Sequence, residues 1–185
     1  MKNKEELCGI IDALGALNIE ELYSISKELS LLRDDVTLSE SSIRDMCDEA
    51  EKGHLVAVVS WEEVAGLEED EHSYYIPGPN AFPEVPFELS EVIDILQMSE
   101  REVDLSKAAD RFHSNLHKRI KNLESKIDSL EQGKACFEDL EGLEEWYSDI
   151  LNQYYDYSFW LQDDMSDLES EISTLSERIE SLKSA

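Results

Sequence analysis

All four prolines of the sequence, Pro77, Pro79, Pro83 and Pro86, lie within ten consecutive residues, and no proline follows them. Each fixes φ and removes a backbone donor, so YYIPGPNAFPEVPFEL cannot be helical and reads as an extended connector. It separates two halves of different period. The division expected is a first domain over residues 1–76, the connector with a short helix over 77–99, and a helical segment over 100–185.

In the first half, Leu7, Ile10, Ile11 and Leu14 recur at helical spacing and stop at Gly15. Asn18 followed by Glu21 announces a capped second helix with an apolar stripe at Leu22, Ile25, Leu29 and Leu32. A third helix starts near Ser39 or Ser41, carries Ile43, Met46, Cys47 and Ala50 on one face, and ends at Gly53. LVAVVSW and SYYIP then read as two short strands around the charged loop EEVAGLEEDEH. Three short helices and a β-hairpin follow one another in the order of a winged-helix domain.

From residue 100 the spacing becomes heptad. Leu116, Ile120, Leu123, Ile127 and Leu130 alternate steps of four and three, and after a break at 131–134 the seam resumes at Leu140, Leu143, Tyr147, Ile150, Tyr154, Tyr157 and Leu161. Such alternation marks a coiled-coil seam. The step from Leu161 to Met165 is a stutter, after which Leu168, Ile172, Leu175, Ile179 and Leu182 return to register. The pattern predicts an antiparallel helical hairpin turning near Gly133, with a second helix of about 46 residues whose end, 165–182, overhangs the first helix. The fold class is therefore mainly α, a winged-helix-like α+β domain followed by a long helical hairpin or coiled coil.

The 185 residues carry 44 Asp and Glu against 16 Lys and Arg, a net charge of −28. A field of that sign repels phosphate backbones and anionic headgroups. The third helix holds Glu40, Asp45, Asp48, Glu49 and Glu51 against Arg44 and Lys52. The loop between the strands holds Glu62, Glu63, Glu68, Glu69, Asp70 and Glu71 with no base. The two elements that would touch DNA are thus both acidic, and nucleic acid is not expected as a partner. One stretch is locally basic: Arg111, Lys118, Arg119, Lys121 and Lys126 face the single acid Glu124, while 138–149 hold six acids and no base. Folding about Gly133 sets Lys126 near Glu141, Lys121 near Glu145, Lys118 near Asp149 and Arg111 near Asp156. Intramolecular pairing is the first reading of that stretch, and Arg111, Lys118, Arg119 and Lys121 are the candidate anion contacts.

No reaction is legible. The sequence has no GxSxG elbow and no phosphate-binding glycine loop, so no catalytic residue or cofactor is assigned. His113 and His117 stand one helical turn apart, but a structural metal site needs four ligands and none joins them. Cys8, Cys47 and Cys136 lack the spacing of a disulfide framework or zinc knuckle. The longest apolar run is Leu55 to Val59, too short for a membrane span, and a soluble cytoplasmic protein is expected. Aromatics concentrate at Trp146, Tyr147, Tyr154, Tyr155, Tyr157, Phe159 and Trp160, seven of fifteen in the chain. They cover more than one helical face, so with Leu168, Ile172, Leu175, Ile179 and Leu182 they are the expected partner-binding residues.

The stretches IIDALGALNIEELYSISKEL, YYIPGPNAFPEVP and VIDILQMSEREVD resemble a group of small, functionally uncharacterised haloarchaeal proteins with a helical start, a GPxAFPxxP connector and a following helix. The resemblance covers residues 5–115. It implies a halophilic archaeal source, for which part of the acidity is adaptation to salt, and a winged-helix-like first half; it carries no activity. The function expected is a non-enzymatic protein-interaction or assembly adaptor that binds a protein partner, or a second copy, through its C-terminal helix. The alternative is a transcriptional regulator dimerised by its coiled coil, with Arg33, Arg44 and Lys52 as the nearby basic candidates.

Overall fold

The computed structural model describes residues 1–69, 71–132, 139–161 and 165–183. Two compact units divide the chain, Met1–Leu105 and Ser106–Ala185.

In the first unit, α1 (Lys4–Leu14) is capped by Asn3, whose side chain accepts from the Glu6 amide at 2.8 Å. Its apolar positions Leu7, Ile10, Ile11 and Leu14 are all buried, as their spacing predicts. The helix stops where Gly15 takes a φ of 78°. A Cβ at Gly15 would stand 1.9 Å from the Arg101 carbonyl oxygen, so only glycine fits both the backbone angle and the neighbour. The second helix, α2 (Ile19–Arg33), opens with the predicted capping box: Asn18 Oδ1 accepts from the Glu21 amide at 2.9 Å, and Glu21 Oε2 accepts from the Asn18 amide at 3.0 Å. Ser39 caps α3 (Glu40–Lys52), which ends at Gly53. Strands β1 (Val56–Val59) and β2 (Tyr74–Pro77) pair antiparallel from Val56 with Pro77 to Val59 with Tyr74. Leu17 exchanges two backbone hydrogen bonds with Tyr75, so β2 is flanked on both sides. Leu7, Ile10, Leu22, Ile25, Leu29, Ile43, Cys47 and Val56 meet in one core, where each fully buried aliphatic side chain contributes about 1.5–3 kcal/mol. This is a winged-helix-like arrangement.

The proline-rich stretch does not link two bodies; it wraps the first one. Gly78 and Asn80 donate to the Leu55 and His54 carbonyls at 3.0 Å each, and Glu84 donates to the Glu5 carbonyl at 2.9 Å. The approach to α1 is allowed by Gly9, where a Cβ would lie 2.3 Å from the Glu84 carbonyl oxygen. A following helix, α4 (Leu89–Leu96), buries Leu89 and Val92 in the same core. Two arginines fasten the wrap. Arg33 donates to both Glu6 oxygens at 3.0 and 3.1 Å and twice to Glu88 at 3.0 and 2.7 Å, and its hydrogen bonds hold the Glu88 carboxyl below the usual range. Arg101 donates to Glu21 at 2.8 and 2.6 Å and to the Ala16 carbonyl at 2.9 Å, with its guanidinium 5.6 Å from the Tyr74 ring centroid. Residues 77–105 thus belong to the first unit, because an extended chain can satisfy its polar groups on a neighbouring surface that composition does not reveal.

The second unit contains α5 (Leu105–Glu131) from Ser106 onward, α6 (Asp139–Leu161) and α7 (Ser166–Lys183). α5 and α6 run antiparallel: Phe112 packs on Trp160, and Arg119 donates to the Gln153 side-chain oxygen. α7 runs parallel to α5, with His113 paired to Asp167 and Arg178 to Asp128 and Glu131. The expected 46-residue helix is therefore two helices, α6 and α7, and the predicted turn at Gly133 lies outside the described residues. The overhang is also corrected. Leu168, Ile172, Leu175 and Ile179 are buried within the chain. A helix already tethered to its partner buries such a stripe without the translational entropy that a second molecule would lose.

Candidate functional site

Two surfaces could carry function, one in each unit. In the first, α3 turns Ile43, Cys47 and Ala50 inward and exposes Glu40, Ser41, Ser42, Arg44, Asp45, Asp48, Glu49, Glu51 and Lys52. Its start is less acidic than its end. The Ser39 hydroxyl lies 2.9 Å from that of Ser41 and 2.8 Å from that of Ser42, and Arg44 reaches back to Glu40 at 3.0 Å. Farther along, Lys4 of α1 contacts Glu49 at 2.8 Å and its hydrogen bond lowers that carboxyl. Helix N-termini present unpaired backbone amides and the positive end of the dipole, so Ser41, Ser42 and Arg44 form the part of α3 suited to meet an acceptor-bearing edge.

The loop between β1 and β2 is built less openly than its acids suggest. Glu63 is buried: its carboxylate accepts from the Ser60 amide and, at 2.7 Å, from the Ser60 hydroxyl. Val64 bridges Val103, Ala65 donates to the Glu102 carbonyl at 2.8 Å, and Asp104 donates to the Glu63 carbonyl at 2.8 Å. One of the six predicted surface acids is thus an internal acceptor. Glu62, Glu68, Glu69 and Glu71 remain exposed, and Asp70 lies outside the described residues.

In the second unit the basic stretch is largely engaged. Lys121 lies 3.1 Å from Glu124 and 3.6 Å from Glu171, and these contacts, not the expected Glu145, raise its pKa. The acidic mate comes from α7 because α7 lies along α5, which no reading of a two-helix hairpin could include. Arg119 is bound to Gln153, Arg111 stands 5.3 Å from the Phe112 ring centroid, and Lys118 is exposed. His113 and His117 point to Asp167 at 3.1 Å and Glu171 at 3.7 Å. Among the described residues no group of three or more His, Cys, Asp and Glu could hold a metal ion.

The expected partner-binding aromatics separate into two sets. Tyr154 and Tyr157 are buried, Trp146, Tyr147 and Trp160 are half-buried, and Phe112 stacks 5.1 Å from Tyr157 and 5.4 Å from Trp160. Gln153 donates to the Tyr157 hydroxyl at 3.0 Å. On the outside, Tyr155 is 60% exposed and Phe159 is 85% exposed. Of the α7 residues expected to meet a partner, Leu168, Ile172, Leu175 and Ile179 are inside the bundle and Leu182 is half-buried. The end of α6 at Leu161 and the start of α7 at Ser166 coincide with the stutter, which is the signal the sequence carried for two helices.

A family model described as a family of unknown function, DUF7109, matches residues 5–177, a span that includes most of both units. The chain belongs to DUF7109. No curated protein matches it. Among solved structures it is similar to a chain in the crystal structure of Bacillus subtilis PadR in complex with operator DNA, at 16% identity and a TM-score of 0.31, covering 93% of this DUF7109 chain and 98% of that one. Against the expectation that nucleic acid is no partner stands the operator DNA of that matched structure, which is a property of the matched protein. Identity and TM-score at those levels transfer neither residues nor a binding mode. No helix among the described residues is long and apolar enough to cross a membrane.

Proposed function

We propose that this protein is a DNA-binding regulator whose first unit reads a short sequence with the start of α3 and whose second unit joins two copies. The observation that carries the reading is the order of α2, a capped α3 and the β1–β2 hairpin on one core, with Ser41, Ser42 and Arg44 exposed at the N-terminal end of α3. Hydroxyls and an arginine at that end are the donor and acceptor set that reads base edges in a major groove. The acids on the hairpin loop leave room for few phosphate contacts. Binding therefore relies on base contacts more than on counterion release, and its affinity falls with salt with a shallow slope, about −2 in log units for two or three neutralised phosphates.

The test is selection from a pool of genomic fragments at about 0.1 M salt, followed by anisotropy with the recovered sequence. Retention of a sequence with a shallow salt slope, and a roughly 10- to 100-fold loss on Arg44→Ala, is the expected result. Failure to retain any sequence above the bulk removes the reading. The exposed Tyr155 and Phe159 favour a second reading, a protein-assembly adaptor, which predicts that no fragment is selected.

A further inference from the structure

We propose that the outer face of α6 is a self-docking seam, on which two copies of this chain meet with their α6 helices antiparallel across a two-fold axis. The proposal deepens the dimeric regulator described above, but its readout is a mass measured without DNA, so a failure to bind DNA leaves it standing.

α6 carries two heptad seams. The inner one, through Leu143, Ile150, Tyr154 and Tyr157, is buried within the second unit. The outer one runs Ser148, Asn152, Tyr155 and Phe159, in steps of four, three and four, and all four residues are exposed. None of the four is charged, in a chain where 32% of residues are. Two molecules of charge −28 repel, and they can touch only where charge is missing from both.

The outer seam is complementary to itself. Its first half is small and polar, and its second half is aromatic. Running parallel, the two helices would set Phe159 on Phe159 at one end and Ser148 on Ser148 at the other, a wedge. Running antiparallel, Phe159 of each copy lies over Ser148 of the other and Tyr155 over Asn152, which keeps the helices evenly spaced and satisfies the reciprocity of a two-fold contact. Leu151 and Ser158, both half-buried and uncharged, border one side of the seam, and the acids Glu145, Asp149 and Asp156 border the other.

Area sets the strength. A Phe or Tyr side chain buries about 200 Å², so the exposed parts of Tyr155 and Phe159 from both copies supply roughly 600 Å², about half of what the smallest specific interfaces need. With the small residues along three turns, the contact reaches the transient class, with a dissociation constant on the order of 10–100 μM. Charge repulsion makes that value depend on salt, in the direction opposite to an ion-paired interface.

Sedimentation equilibrium of the full chain from about 10 to 300 μM, in about 50 mM and 1 M NaCl, tests the proposal. The wild-type mass should rise from one chain toward two across this range in 1 M salt and stay lower in 50 mM, and Tyr155→Ser with Phe159→Ser should hold it at one chain. Both substitutions are at exposed positions, and an unchanged circular dichroism spectrum will verify the fold. Orientation is read with Ser148→Cys in a Cys136→Ser background: antiparallel helices place the two thiols about 16 Å apart, beyond disulfide reach, whereas parallel helices would couple them. A wild type that stays at one chain at 300 μM in 1 M salt overturns the proposal, as does a double variant that associates like the wild type or a ready disulfide at position 148.

Discussion

Leu168→Ala tests the placement of α7 within the chain. Leu168 is fully buried on the inward face of α7, beside the ion pairs of Asp167 with His113 and of Glu171 with Lys121. Truncating a buried leucine costs about 2–5 kcal/mol, the spread depending on how far the site collapses, and a position with none of its surface exposed falls near 3 kcal/mol. Trp146 and Trp160 both lie in the second unit, so in a Trp61→Phe background tryptophan fluorescence reports the unfolding of that unit in urea. The variant should lower the midpoint by the equivalent of about 3 kcal/mol. The wild-type midpoint should be the same at about 5 and 200 μM protein in about 50 mM NaCl, where self-docking through α6 is suppressed. If α7 packed on a second molecule instead, a 40-fold change in concentration would move the stability by about 2 kcal/mol. A Leu168→Ala loss below about 0.5 kcal/mol, or a midpoint that climbs with concentration by that amount, refutes intramolecular packing.

Gly15→Ala should destabilise the first unit by at least about 2 kcal/mol, read by urea unfolding through Trp61, because it meets both a φ of 78° and the Arg101 carbonyl. Glu21→Ala should cost about 2 kcal/mol and Glu21→Gln less, since the glutamine can still accept from the Asn18 amide while losing the charge that faces Arg101; a double-mutant cycle with Arg101→Ala should return a coupling of at least about 0.5 kcal/mol. Hydrogen bonds from Arg178 and His113 hold the Glu131 and Asp167 carboxyls below their ordinary range. With folded pKa values depressed, their stabilisation is present above the unfolded carboxylate value of about 4 and is lost as the pH falls below it, so Glu131→Gln should flatten the acid limb of the unfolding profile. Burial pushes the Cys47 thiol up to about 12 and the Cys8 thiol upward as well. In a Cys136→Ser background neither should react with a thiol reagent at pH 8 until denaturant is added.

What the sequence determined by itself is local. Gly15, Asn18 with Glu21, Ser39 or Ser41, and Gly53 placed the end of α1, the start of α2 and, to within two residues, both ends of α3, because caps and turn angles are chosen by a residue and its near neighbours. The same holds for the two strands and for the heptad seams of α5 and α6. The tertiary structure decided how these pieces are shared out. A run of prolines says only that the backbone is extended; whether it spans water or lies on a surface depends on Gly9 leaving space for Glu84, and on Arg33 and Arg101 reaching acids 80 or fewer positions away. A heptad stripe says only that one face must be covered. The cover for α7 is α5 of the same chain, which turned the expected partner-binding leucines and isoleucines into core and left Tyr155 and Phe159 outside. Net charge likewise has no address: the total of −28 said that acids outnumber bases, while the fold buried Glu63, paired Glu49 with Lys4, and kept the start of α3 for Ser41, Ser42 and Arg44. Periodicity reports which face of an element seeks burial, and only the folded chain chooses what buries it.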